Sequence, residues 1–204
     1  MPDKRRHGRR AASFGRRVNT RPVRQRFLIV CEGTKTEPNY FKAFRAPGKV
    51  EAVVRGLGDD PLNLVNRAIE LWNSDEYGFD QVWCVFDRDS VPADSFNAAI
   101  TIVESKRMRV AYSNEAFELW YLLHFQECST AIPRRDYITR QDEALRHPYK
   151  KNGETMYDEL LERQEVAIKN AERLLARYSP RNPAGDNPST TVHLLVQQLN
   201  KYAR

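Results

Sequence analysis

The sequence predicts an α/β fold: a mostly parallel sheet flanked by helices, continued by C-terminal helices and preceded by a basic arm. Three observations lead there. The runs Phe27–Cys31 and Gln81–Phe86 are short and almost wholly apolar, as strands covered on both faces must be. Segments of helical period alternate with such runs, which is the order of a doubly wound sheet with right-handed crossovers. Both runs also stop at acids, Glu32 after one and Asp87-Arg88-Asp89 after the other, at the strand ends where open α/β sheets bind ligands.

Residues 1–25 form the arm. Ten Lys and Arg fall within residues 1–26, among them Arg5, Arg6, Arg9 and Arg10, against Asp3 alone. The remainder holds 23 basic and 26 acidic residues, so the net charge of +6 belongs to the arm and not to the body. With Gly, Ser and Pro and few apolar groups, the arm is expected to be disordered when unbound. Its charge suits nucleic-acid phosphates; a solubilising tail or a contact for an acidic partner is the plainer use of such a run.

Residues 26–204 are expected to form one domain with its own core. After the strand Phe27–Cys31, Glu32-Gly33 and the polar loop Thr34-Lys35-Thr36 lead into a helix at Glu37-Pro38, with proline at its first position. Asn39–Phe44 continues that helix and Gly48 closes the unit. Val50–Val54 is a second strand, punctuated by Gly56 and Gly58. Asp60-Pro61 then starts a helix carrying Leu64, Ala68, Leu71 and Trp72 at helical spacing. Gln81–Phe86 is the third strand, Ala93–Ser105 a helix, and Arg109–Tyr112 the fourth strand. The segment Asn114–Phe125 reads as a helix capped by Ser113-Asn114, with Glu115 and Glu118 in its first turn. It is apolar almost all round and so should be buried. Arg134, Arg135, Arg140 and residues 147–153 follow. Helices over Tyr157–Tyr178 and Ser189–Tyr202 end the chain, the last with Val192, Leu195, Val196, Leu199 and Tyr202 along one face.

Several classes drop out. No stretch approaches the roughly 20 apolar residues that span a bilayer, and the N-terminal arginines lack the apolar core of a secretory signal. Cys31, Cys84 and Cys128 are scattered, without CxxC or Cys/His spacing, and read as core residues of a reduced, cytoplasmic protein. Neither GxGxxG nor GxxxxGK[ST] occurs. Asp87-Arg88-Asp89-Ser90-Val91 fits the nucleophile–acid pattern of haloacid dehalogenase phosphatases, but no later strand supplies the further acidic pair that chemistry needs. The four histidines show no metal or nucleophile spacing, and His124 reads as a core residue.

Glu32, Asp87 and Asp89 stand at the ends of two strands which, if adjacent, lie about 4.8 Å apart, close enough to share one cation. Mg²⁺ takes hard oxygen ligands. Glu37, Glu115 and Glu118 are candidates for a second metal or a general base. The plainer reading makes Asp87 and Asp89 helix caps, and Glu115 and Glu118 first-turn acids.

The strings CEGTKTEPNYF (31–41), VFDRDS (85–90), SNEAFELWYLLHF (113–125), YKKN (149–152) and NPSTTVHLLV (187–196) resemble the RloB family, whose core is similar to a Toprim, Rossmann-like domain. The resemblance covers residues 26–202. It implies that Glu32, Asp87 and Asp89 bind Mg²⁺, or Mn²⁺, for nucleic-acid strand cleavage. It further implies an effector of bacterial anti-phage defence, restriction-associated and paired with an ATPase of the ABC or AAA type; oligomerisation is compatible with it. The extra domains of primases and topoisomerases are lacking, which argues against those activities. Lys35, Arg88, Arg134, Arg135, Lys150 and Lys151 are the candidates to hold phosphates. The alternative is a non-catalytic nucleic-acid-binding or regulatory subunit of the ATPase complex.

Overall fold

Alternation along the apolar runs builds two cores, one on each face of a single sheet. In β1 (Gln25–Cys31), Phe27, Ile29 and Cys31 enter one core while Leu28 and Val30 enter the other. In β3 (Gln81–Asp87), Trp83 and Val85 join the first, and Val82, Cys84 and Phe86 the second. Each large apolar side chain so buried contributes about 1.5–3 kcal/mol, so both strands are held from two sides. The acids that end them are placed by packing that is none of their own. The computed structural model describes residues 24–44 and 50–203; Arg5, Arg6, Arg9, Arg10 and Gly48 lie outside the described residues.

The five-stranded sheet has the order β2-β1-β3-β4-β5, with β2 at Val50–Gly56, β4 at Arg109–Asn114 and β5 at Ser189–Thr190. β1 pairs in parallel with β2 on one side and with β3 on the other, with Cys31 opposite Val85. The expected adjacency of the two acid-ended strands is therefore present. It lies at the point where the chain changes direction across the sheet, which is where doubly wound folds open a crevice beyond their strand ends. β4 is parallel to β3, and only the short β5 is antiparallel.

Helices α2 (Pro61–Ser74) and α3 (Ala93–Ser105) cover the face of Leu28 and Val30. Asp60 caps α2 by accepting from the amides of Leu62 and Asn63, ahead of Pro61, as its sequence predicts. The other face carries α1 (Thr36–Lys42), α4 (Glu118–Leu122), α5 (Arg134–Leu145), α6 (Met156–Leu160), α7 (Gln164–Leu175) and α8 (Val192–Ala203). Val192, Leu195, Val196 and Leu199 of α8 are buried along one face, as expected. All three cysteines are buried and free; burial pushes the thiols of Cys84 and Cys128 up to about 12 and about 11.

Four expectations need correction. α1 begins at Thr36, two residues before the expected first position, so Pro38 falls at its third position, still among the amides that lack an intrahelical partner. The helix expected over Asn114–Phe125 is shorter, because Ser113 and Asn114 belong to β4. They pair with Thr190 and Ser189, and the Asn114 amide donates to the carbonyls of Pro183 and Ala184, so the expected caps are spent on the sheet. Glu115 accordingly precedes α4 and does not lie in its first turn. The single helix expected over Tyr157–Tyr178 is α6, a 3₁₀ turn at Leu161–Arg163, and α7. Ser189 and Thr190, expected in the last helix, form β5.

Candidate active site

Three loops meet over the β1/β3 edge and are tied by two carboxylates. Glu32, directly after β1, accepts the Asp87 amide through Oε2 at 2.9 Å. Asp87, the last residue of β3, accepts the Phe117 amide through Oδ2 at 3.0 Å, ahead of α4. Asp87 thus caps the entry to α4, not to α3, whose N-cap is Pro92 without any side-chain bond. Asp89 follows in a left-handed turn with φ of 31°, its amide bonded to the carbonyl of Glu115 at 3.0 Å. Its carboxylate pairs with Arg134, the first residue of α5.

These groups line a cavity of about 630 Å³. Its walls hold seven acids, Glu32, Glu37, Asp59, Asp60, Asp87, Asp89 and Glu118, against three cations, Lys35, Lys151 and Arg134. The loop after α5 forms one wall. Its Lys151 carbonyl accepts from Thr36 Oγ1 at 2.7 Å, its Asn152 carbonyl from Asn39 Nδ2 at 3.2 Å, and its Tyr149 hydroxyl donates to Glu118 Oε1 at 3.4 Å. Nothing local in the sequence places Asp59 and Asp60 in this cavity, or Tyr149 against Glu118, since only the fold brings these loops together.

Burial and mutual repulsion raise the carboxyls. Asp87 is pushed well above the usual range, first by burial and then by the charges of Glu37, Glu118 and Glu32, with the Phe117 amide a partial offset. Glu37 is pushed up to about 7, first by burial and then by Glu118 and Glu32, with Lys151 opposing. Glu32 is raised by burial and by Asp89 and Asp60, against the Asp87 amide and Arg134.

Not every candidate enters the cavity. The Arg88 guanidinium donates to the carbonyls of Asp89 and Val91 and so supports the turn from within. Glu115 contributes its carbonyl to Asp89 but its side chain does not line the cavity, whereas Glu118 does. Neither Arg135, which pairs with Asp136 at 3.3 Å, nor Lys150, whose carbonyl accepts from Gly153, lines it either.

Two glycines let the walls close. A Cβ on Gly33 would fall 2.0 Å from Glu37 Oε2, the movable end of a side chain. One on Gly56 would fall 2.5 Å from the Gly33 carbonyl and 2.8 Å from the Cα of Thr34, both backbone. Gly56→Ala is therefore expected to cost about 1–3 kcal/mol, as overpacking does, and Gly33→Ala clearly less while displacing Glu37. Urea midpoints compare the two; equal losses would contradict the close approach at Gly56.

Among the described residues, no three Asp, Glu, His or Cys side chains converge tightly enough, as they stand, to hold a metal ion. The donor chemistry nonetheless fits one. The oxygens are hard, negative charge is in excess, and Asp87 and Glu37 are held toward protonation by burial and by the neighbouring carboxylates, which a bound cation would offset. Glu32, Asp87 and Asp89 are the residues that would hold it.

The model of the RloB-like protein family matches residues 27–199. The chain belongs to the RloB-like family. The match takes in β1 from Phe27 onward, all of β3 and every described cavity residue, and leaves the basic arm outside. Searches of curated proteins and of solved structures gave no match. No helix among the described residues is long and apolar enough to cross a membrane.

Proposed function

We propose that this RloB-like chain is a divalent-cation-dependent nuclease, the effector of a bacterial anti-phage system that works with an ATPase partner. The observation that carries this reading is the meeting of Glu32, Asp87 and Asp89 at the β1/β3 edge, in a cavity with cations on its rim. Mg²⁺ or Mn²⁺ bound there would polarise a phosphodiester and lower the pKa of the attacking water. The chain's own groups do the rest. Lys35, Lys151 and Arg134 hold phosphate oxygens, and the Glu37 carboxyl, near 7, takes or gives a proton at neutral pH. Cleavage of single- and double-stranded DNA and RNA by the full chain, with Mg²⁺ or Mn²⁺ and with or without an ABC- or AAA-type ATPase partner, tests the reading. Lack of any cleavage under all these conditions counts against it.

The bond from Asp87 Oδ2 to the Phe117 amide favours a second reading, in which the acids only hold loops together and the chain binds nucleic acid or regulates the ATPase. Either way the arm is proposed to contact phosphates. Removing residues 1–23, which hold eight Lys and Arg, is expected to leave the melting temperature unchanged and to flatten the salt dependence of nucleic-acid binding, each phosphate contact contributing a slope of about 0.7–0.9. An unchanged slope would assign the arm to another partner.

A further inference from the structure

The cavity holds one arginine, and that arginine is already engaged. Arg134 pairs with Asp89 and faces the charges of Asp87, Glu118 and Glu32 as well, so its guanidinium sits in the field that a metal ion would occupy. The pair lies at the cavity mouth, with side chains 38% and 36% exposed, where an ion pair opens at little cost. Its backbone is anchored behind it: Ile132 and Tyr137 are buried, and Gln141 Nε2 donates to the Glu118 carbonyl at 2.9 Å. The side chain can therefore move while its helix stays. A guanidinium and a divalent cation repel each other and both need Asp89. A freed guanidinium offers a planar fork that matches two oxygens of a phosphodiester, which neither Lys35 nor Lys151 can do.

Resting on the nuclease reading, we infer that Arg134 marks a phosphate subsite and exchanges partners: it holds Asp89 until a divalent cation takes that carboxylate, then binds a phosphate of the nucleic acid. Cation and nucleic acid should accordingly bind cooperatively, because each removes what obstructs the other.

Mn²⁺ binding to the full chain by electron paramagnetic resonance, without nucleic acid, tests the exchange, with circular dichroism to check folding. Arg134→Gln should bind Mn²⁺ roughly fivefold more tightly than the parent, the scale of one exposed ion pair. In Ca²⁺ it should bind a single-stranded oligonucleotide roughly tenfold more weakly, the scale of a lost charge-assisted pair. The oligonucleotide should tighten Mn²⁺ binding in the parent and not in Arg134→Gln. Arg134→Lys, which keeps the charge, should restore parent-like Mn²⁺ affinity but not the oligonucleotide affinity. In an Asp89→Asn background the gain from Arg134→Gln should shrink, because the ion pair that Arg134 must give up is then absent. If the parent binds Mn²⁺ and folded Arg134→Gln binds it no more tightly, the exchange is wrong and the nuclease reading stands. If neither binds Mn²⁺ at millimolar concentration, both fall.

Discussion

Asp87→Asn is expected to abolish metal-dependent cleavage while leaving the cation-free protein as stable as the parent or more so. Asparagine keeps an oxygen for the Phe117 amide and keeps the backbone amide that Glu32 accepts. What it removes is a carboxylate buried among Glu37, Glu118 and Glu32. Relief from that burial and repulsion is worth on the order of 1 kcal/mol or more. The two readings of the site separate here. If Asp87 only caps the entry to α4, the variant should match the parent in every functional assay, whatever it gains in stability. If it holds a cation, activity and stability move in opposite directions. Cleavage rates and denaturant midpoints on the same preparations decide it.

The second large effect is a pH dependence, and it is read as a difference between two proteins. Glu37 is 6% exposed and its carboxyl is pushed up to about 7, against about 4.5 for an ordinary glutamate. Between these values the folded state holds a proton that the unfolded chain has lost. The stability linked to Glu37 is therefore full below about pH 4.5 and is lost as pH rises through about 7. Glu37→Gln stays neutral throughout. It should gain on the parent by on the order of 3 kcal/mol at pH 8 and by less than about 1 kcal/mol at pH 5. His124 and His193, which burial pulls down to about 4, titrate in the opposite sense, but they do so in both proteins and cancel in the difference. A variant equally displaced at both pH values would mean that Glu37 stays ionised throughout.

The strands were legible because their residues are apolar on both faces. Phe27–Cys31 and Gln81–Phe86 carry that signal without help from distant residues, and their end points place Glu32 and Asp87. Legibility failed where a distant segment decides. Ser113 and Asn114 are good helix caps by residue type, yet Ser189 and Thr190 draw them into the sheet, and nothing local announces that pairing. α5 leaves no such signal in the sequence, because it buries only Tyr137 and Gln141, too few to make an apolar stripe. Yet this helix presents Arg134 to the acids. Between Glu115 and Glu118, equal by type, the turn before α4 chooses: it sends the backbone carbonyl of the first to Asp89 and the carboxylate of the second into the cavity.

Melting of the full chain at pH 7.5 against Mg²⁺ or Mn²⁺ concentration tests most directly whether these acids form a cation site. A ligand that binds only the folded state stabilises it by about 2.7 kcal/mol at one hundred times its dissociation constant. The melting temperature of the parent should rise with the logarithm of cation concentration, and that of Asp87→Asn should stay flat. A parent whose melting temperature does not change up to 10 mM of either ion, or an Asp87→Asn variant that rises in parallel with it, would contradict the assignment of Glu32, Asp87 and Asp89 as metal ligands.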